Sequence, residues 1–368
     1  MKHFFPDLLE QATRLTRAGD LQAATALIQR ALGGHAPAPQ TAPADDGLVI
    51  DAETRVVDDD PATLASPAAS SAPADPAAAG EQWLHGQHAH GGRQIRYRLY
   101  VPPAPAGAAA AAKRPLVLML HGCTQDPDDF AAGTRMDALA REAGVLVLYP
   151  EQPHRANAHG CWNWFKPQHQ QRERGEPALL ASLVRTVAAA HGADPARLYV
   201  AGLSAGGAMA DILGRAYPDL FAAVGVHSGV PAGAAADLPA ALAAMRDGGH
   251  AGPQAGAAVR PLIVFHGDAD ATVHPANGAA LAEAARQGQP QAGPAETRRG
   301  QTPDGRRFTQ TVFRAPGGAS LVEYWQLHGL GHAWSGGSAA GSHAAPGGVD
   351  ASAEMLRFFL SHRQPSSA

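Results

Sequence analysis

Cysteine is nearly absent: Cys123 and Cys161 are the only two in 368 residues. That excludes a disulfide-framework protein and a cysteine-only zinc site. Aromatic residues are also scarce, at 6 %, so any short segment that concentrates them stands out. Positive charge is not in excess, with 29 Lys and Arg against 33 Asp and Glu and a net charge of −4. With no basic run either, the electrostatic footprint of a nucleic-acid partner is missing. No stretch approaches the roughly 18 to 20 uninterrupted apolar residues of a membrane span. The opening segment MKHFFPDLLEQATRL meets Asp7 and Glu10 before the apolar region of a signal peptide can form. The expectation is therefore a soluble, cytoplasmic chain.

Organisation shifts twice along the chain. Residues 5–32 place Leu8, Leu9, Ala12 and Leu15 on one helical face, then repeat the pattern with Leu21, Ala24, Leu27, Ile28 and Leu32. This predicts a helical hairpin over residues 1–33, too small to bury its own apolar faces and so expected to dock on something. Residues 34–80 are rich in Pro, Ala, Ser and Asp and read as a disordered linker. From residue 81 to 368, short apolar runs such as PLVLMLHG, GVLVLYP and PLIVFHG alternate with helical stretches, each punctuated by Gly or Pro. Strand and helix in alternation predict an α/β domain, a mostly parallel sheet covered by helices on both faces. PDDFAAGTRMDALAREAG reads as an amphipathic helix, TPDGRRFTQTVFR and SLVEYWQLHG as a late pair of strands, and DASAEMLRFFLSH as the closing helix.

Chemistry enters at Gly202-Leu203-Ser204-Ala205-Gly206. In a chain with 41 glycines the pentapeptide alone is modest evidence. Its setting is more telling, because it follows the apolar run RLYVA and leads into a helix, the strand-turn-helix context of a nucleophile elbow. A serine hydroxyl is a weak nucleophile and needs an imidazole base that is itself held by a carboxylate. Asp268 and Asp270 follow a buried strand, and His328 and His332 follow the last strand, so the order is Ser, Asp, His. Asp270 lies deeper in its loop and is favoured over Asp268, which reads as a turn residue bonded to local backbone. His332, among glycines and beside Trp334, is favoured over His328, which reads as a strand cap. The segment LMLHGCTQDPDDF follows an early buried strand, where one oxyanion donor is expected, and the second belongs to the residue after the nucleophile. That nominates the main-chain amides of Cys123 and Ala205. AHGCWNWF concentrates Trp162 and Trp164, which with Trp334 form a candidate substrate-binding wall against the alternative of plain packing. A Cys123–Cys161 bridge is open in principle, while a cytosolic setting favours reduced thiols. His85, His88 and His90 read as solvated histidines rather than metal ligands, and no metal or cofactor is implied.

Six segments in order, HGCTQDPDDFAAGTRMDALA, GCWNWF, GLSAGGAMA, VGVHSG, FHGDADATVHPANG and GLGHAWSGG, resemble the esterase family of polyhydroxybutyrate depolymerases. The resemblance implies an α/β-hydrolase fold, a triad of Ser204, Asp270 and His332, and Cys123 at the oxyanion hole. It implies a polyester or small-ester substrate, namely short-chain hydroxyalkanoate polyesters or their oligomers. The missing signal peptide makes the chain look like intracellular members, with the amino-terminal hairpin as a possible contact to a polymer granule. Two alternatives stand beside it: a feruloyl or acetylxylan esterase, and a non-catalytic granule-binding protein on the same fold.

Overall fold

In the computed structural model, which describes residues 80–103, 113–252 and 259–365, the apolar runs become the middle of a twisted sheet. The described residues all fall within one compact unit, Ser71–Ala368. The hairpin of residues 1–33 and all but the last residue of the 34–80 linker lie outside the described residues. Strands β3 (Arg114–Leu120), β4 (Leu146–Glu151), β5 (Ala193–Leu203), β6 (Ala223–His227) and β7 (Leu262–Gly267) are parallel to one another. They are buried almost throughout, which is why they read as continuous rather than alternating apolar runs. Antiparallel strands finish both flanks: β1 (Gln82–His90) and β2 (Arg93–Val101) on one side, β8 (Glu296–Gln301) and β9 (Arg307–Arg314) with the parallel β10 (Ser320–Leu327) on the other. The order is β1-β2-β4-β3-β5-β6-β7-β10-β9-β8, and a short bridge pairs β11 (Trp334–Ser335) with β12 (Ala344–Ala345).

Helices cover both faces. Against one pack α3 (Gly175–Ala190), α4 (Ala205–Ala216), α5 (Leu238–Asp247) and α6 (Ala276–Gln287), through residues such as Leu180, Val184, Met209 and Leu281. Against the other pack α1 (Pro127–Thr134), α2 (Met136–Ala143) and α7 (Ala351–Leu360), through Phe130, Met136, Met355 and Phe359. No helix among the described residues is long and apolar enough to cross a membrane.

Three elements differ from the sequence expectation. The stretch read as one helix is two, because Arg135 enters the left-handed region at φ 53°. The carbonyl of Gly133, instead of continuing the helical ladder, accepts a hydrogen bond from Ser338 N at 2.8 Å, so a distant loop takes the place of the next turn. His85, His88 and His90, read as solvated histidines, lie in β1, which closes in a turn at Gly91 and Gly92, and His88 is partly buried with its Nε2 2.9 Å from Ser182 Oγ. Strand β8, ETRRGQ, carries no apolar side chain and escaped notice for that reason; a charged edge strand resists pairing with other chains.

Candidate active site

The carboxyl ends of β5, β7 and β10 open onto one edge of the sheet, and the three loops that leave them carry Ser204, Asp270 and His332. Ser204 sits on a sharp turn with φ 57° and ψ −119°, a conformation that costs a non-glycine residue about 1–3 kcal/mol. Its N–H donates to His227 O at 2.9 Å, fixing the turn to the neighbouring strand. Both flanking glycines are required by close approach. A methyl at Gly206 would overlap Leu120 O and His121 O, and one at Gly202 would overlap the Gly206 carbonyl. The same contact sets the β3 loop against the turn, so that a Cβ on Gly122 would stand 3.6 Å from Ser204 Cβ.

Asp270 is 5 % exposed and accepts three hydrogen bonds. Thr272 N and Val273 N donate to Oδ1 at 2.9 and 2.8 Å, and His332 Nδ1 donates to Oδ2 at 2.7 Å. Burial alone would raise its pKa, but the approach of His266 Nε2 to Oδ2 at 3.5 Å, the hydrogen bond from His332, the nearby imidazole and the Val273 N–H outweigh it and hold the carboxyl well below the usual range. An ionised carboxylate only accepts, so the proton of His332 lies on Nδ1 and the lone pair on Nε2. Asp268 and His328 form a second, more exposed pair: His328 Nδ1 donates to Asp268 Oδ2 at 2.7 Å, and His328 Nε2 lies 2.9 Å from Thr309 Oγ1. Asp268 also accepts from Gly329 N at 2.7 Å, so it spans two loops rather than bonding its own turn. His328, for its part, joins three elements instead of capping one.

The loop after β3 is held by a set of hydrogen bonds. Gly122 N donates to Gln125 Oε1 at 3.0 Å, and Thr124 N donates to His159 O at 2.7 Å. His121 Nε2 accepts from Gln152 N at 3.1 Å, which leaves Nδ1 to donate to Gly122 O at 2.8 Å. Because the C=O and N–H of one peptide point in opposite directions, fixing Gly122 O turns the Cys123 N–H the other way. Among the described residues no hydrogen bond takes up the N–H of Cys123 or of Ala205.

Cys123 and Cys161 are joined in a disulfide, which corrects the expectation of reduced thiols. The bridge ties the β3 loop to the aromatic segment, whose course is fixed by the buried Glu176, 2 % exposed. Glu176 accepts from Asn163 N at 2.8 Å and from Asn163 Nδ2 and Gln152 Nε2 at 2.6 Å each. Closing a loop of 38 residues contributes roughly 4 kcal/mol in the chain-entropy picture. Full reduction is therefore expected to lower the denaturation midpoint sharply; an unchanged midpoint in excess dithiol would contradict this.

Trp162, Trp164 and Trp334 are buried, at 0, 6 and 1 % exposure. Trp162 Nε1 donates to His121 O at 3.0 Å, and Trp334 stacks on His227 at 5.2 Å while its Nε1 donates to Ser352 Oγ at 3.0 Å. These rings stand beneath the loops as packing, the alternative left open for them in the sequence.

Three imidazoles went unassigned in the sequence. His121, His227 and His266 are buried and stand at the carboxyl ends of three central strands, a polar residue closing an apolar run each time. That repeated pattern was the available signal. His227 Nε2 accepts from Ser335 N at 3.1 Å and Nδ1 lies 3.1 Å from Ser228 Oγ. Burial, reinforced by the His266 and His332 imidazoles, pushes its pKa from 6.5 down to about 3. The unfolded chain therefore takes up this proton first: the contribution of neutral His227 is full above pH 6.5 and is lost as pH falls towards 3, at about 1.4 kcal/mol per pH unit. His227→Gln is expected to be less stable than wild type at pH 7 and to converge with it on acidification. Parallel stability curves would refute the assignment.

Parallel strands with helices on both faces, and a serine on a strand–helix turn at the carboxyl edge of the sheet, define an α/β-hydrolase. Residues 95–295, more than half of the chain, match the family described as Esterase PHB depolymerase, and the chain belongs to that family. It is 33 % identical over 250 residues to poly(3-hydroxyalkanoate) depolymerase C of Paucimonas lemoignei, covering 62 % of this chain and 56 % of that protein. It is 34 % identical over 128 residues to feruloyl esterase B of Thermothelomyces thermophilus, covering 34 % of this chain and 43 % of that protein. The chain thus spans about half the length of these curated relatives. The solved acetyl xylan esterase from Aspergillus awamori shares the fold, with a TM-score of 0.56 at 21 % identity over 73 % of this chain and 94 % of that one.

Proposed function

We propose that this chain is a serine carboxylesterase that hydrolyses short-chain hydroxyalkanoate polyesters or their oligomers through an acyl-enzyme. The observation that carries the chemistry is the 2.7 Å hydrogen bond from His332 Nδ1 to a buried Asp270, on the same sheet edge as the strained turn of Ser204. His332 Nε2 takes the hydroxyl proton as Ser204 Oγ attacks the ester carbonyl. The C–O bond to the alcohol then breaks, and His332 returns the proton to the departing oxygen. Water, deprotonated by the same Nε2, attacks the acyl-serine carbonyl; the bond to Ser204 Oγ breaks, His332 returns the proton to Oγ and the acid leaves. The N–H groups of Cys123 and Ala205 stabilise the oxyanion in both halves; each such donor is typically worth about 10²–10³ in kcat.

The polyester substrate is supported by the similarity over 250 residues to the Paucimonas lemoignei depolymerase. Feruloyl or acetylxylan ester hydrolysis is the second reading, supported by the similarity to feruloyl esterase B and the acetylxylan esterases. Product analysis on amorphous polyhydroxybutyrate, methyl ferulate and acetylated xylan separates them. Hydroxybutyrate oligomers as the main product are expected. Activity on small or aromatic esters, with none on the polymer, would overturn the polyester reading.

A further inference from the structure

Among the described residues the two most exposed large apolar side chains are neighbours. Leu238 and Leu242, each 55 % exposed, lie one turn apart on α5, while Ala241 and Ala244 of the same helix point into the core. Ala236, Pro239 and Ala243 extend the exposed strip, and between Asp237 and Arg246 the helix carries no charge and no side-chain hydrogen-bond donor. A soluble helix ordinarily presents polar side chains on its outer face, so a strip of methyl and methylene groups needs an occupant.

The helix is built into the rim of the proposed active site. At its amino end Gln170 Nε2, in the stretch after the aromatic segment, donates to Ala235 O at 2.8 Å, and Gly233 N donates back to Gln170 Oε1 at 2.9 Å. At its carboxyl end His274 N, four residues after Asp270, donates to Met245 O at 2.7 Å, and Asn277 Nδ2 donates to Ala244 O at 2.9 Å. α5 therefore spans from the aromatic segment to the loop that carries the carboxylate.

We infer that the exposed face of α5 is the surface by which this chain docks on an uncharged, water-insoluble aliphatic polyester. The inference rests on the polyester reading above and deepens it. The chemistry matches on both sides: an aliphatic polyester offers methyl and methylene groups and ester oxygens but neither charge nor donors, and the Leu238–Ala243 part of this face offers apolar carbon, with the one charged side chain on the stripe, Arg246, paired to Asp247 at 2.7 Å at its carboxyl end. Because the carboxyl end of α5 is bonded to the stretch that follows Asp270, a chain segment held at this face lies beside the carboxylate's loop.

The test uses the full chain with Ser204→Ala, so that binding is read without hydrolysis, on particles of amorphous poly(3-hydroxybutyrate). The added substitutions Leu238→Ser and Leu242→Ser are expected to raise the half-saturating protein concentration at least about tenfold, the effect of losing two apolar contacts. With Ser204 intact, the double variant is expected to hydrolyse a soluble short-chain ester within about twofold of wild type and to attack the particles at least about tenfold more slowly. Unchanged adsorption overturns the inference. So does an equal loss on soluble ester and particles, which indicates damage to the fold, or a fall in oligomeric state in the double variant, which assigns the face to a second copy of the chain. The esterase reading fails separately, by absence of soluble-ester turnover in the wild type, whatever the adsorption shows.

Discussion

Ser204→Ala is expected to lower turnover of a soluble short-chain ester by about six orders of magnitude, leaving only what the oxyanion donors and substrate binding supply. The substitution removes one oxygen that, among the described residues, makes no hydrogen bond to the rest of the protein, so folding is not at stake. The turn is held by its backbone: Ser204 N on His227 O, and Gly202 and Gly206 against the β3 loop. Stability is expected to stay within about 1 kcal/mol of wild type, as for substitutions that empty no core and strand no polar group. Steady-state kinetics with a paired thermal melt reads both quantities. A loss below about a hundredfold would mean that another group attacks the ester.

Asp270→Asn is expected to cost about four orders of magnitude in kcat with the geometry nearly intact. The reason lies in the donors around the carboxylate. Thr272 N and Val273 N both point at Oδ1, so an asparagine must place its carbonyl oxygen there. Its Nδ2 then faces His332 Nδ1, where an N–H in place of an acceptor forces the imidazole proton onto Nε2. In that tautomer His332 cannot accept the Ser204 proton. Protonation of Asp270 itself falls well below the usual carboxylate range, so wild-type activity is not expected to lose this orientation in mild acid. A drop of tenfold or less in Asp270→Asn would point to Asp268, whose pairing with His328 has the same 2.7 Å length. The matching loss would then appear in Asp268→Asn.

How much of this was legible in the sequence depends on the kind of interaction. Central strands such as Leu116–Leu120 and Leu262–Phe265 announce themselves because burial on both faces leaves no polar position. The serine turn is legible because two close backbone approaches demand glycine on either side. Tertiary choices are not. Whether Asp270 meets His332 or His328 depends on how two loops lie side by side, and both pairs form, so spacing alone could not separate them. The helix break at Arg135 comes from Ser338, some two hundred residues away in sequence, which takes the Gly133 carbonyl. α5 and α6 are alanine-rich, with little contrast between their faces, and went unread. For the cysteines, two residues carry no pairing information, and the expected compartment argued for thiols; the fold instead sets Cys123 against Cys161.

The unassigned histidines follow the same logic. Each of His121, His227 and His266 ends a buried strand, and their hydrogen bonds run to backbone groups of the loops above: Gly122 O, Ser335 N and Val273 O. They position loops, and no spacing rule in one sequence marks that role. His121 and His227 each accept a backbone N–H, which requires the neutral ring and links site geometry to the acid sensitivity expected from His227.

Reaction with a fluorophosphonate, followed by peptide mass analysis, tests most directly whether Ser204 is a nucleophile activated by His332. One phosphonyl adduct per chain on the peptide containing Ser204 is expected, absent in Ser204→Ala and reduced to background in His332→Ala. An adduct on another residue, or labelling of Ser204 that persists undiminished without His332, would contradict the proposed triad.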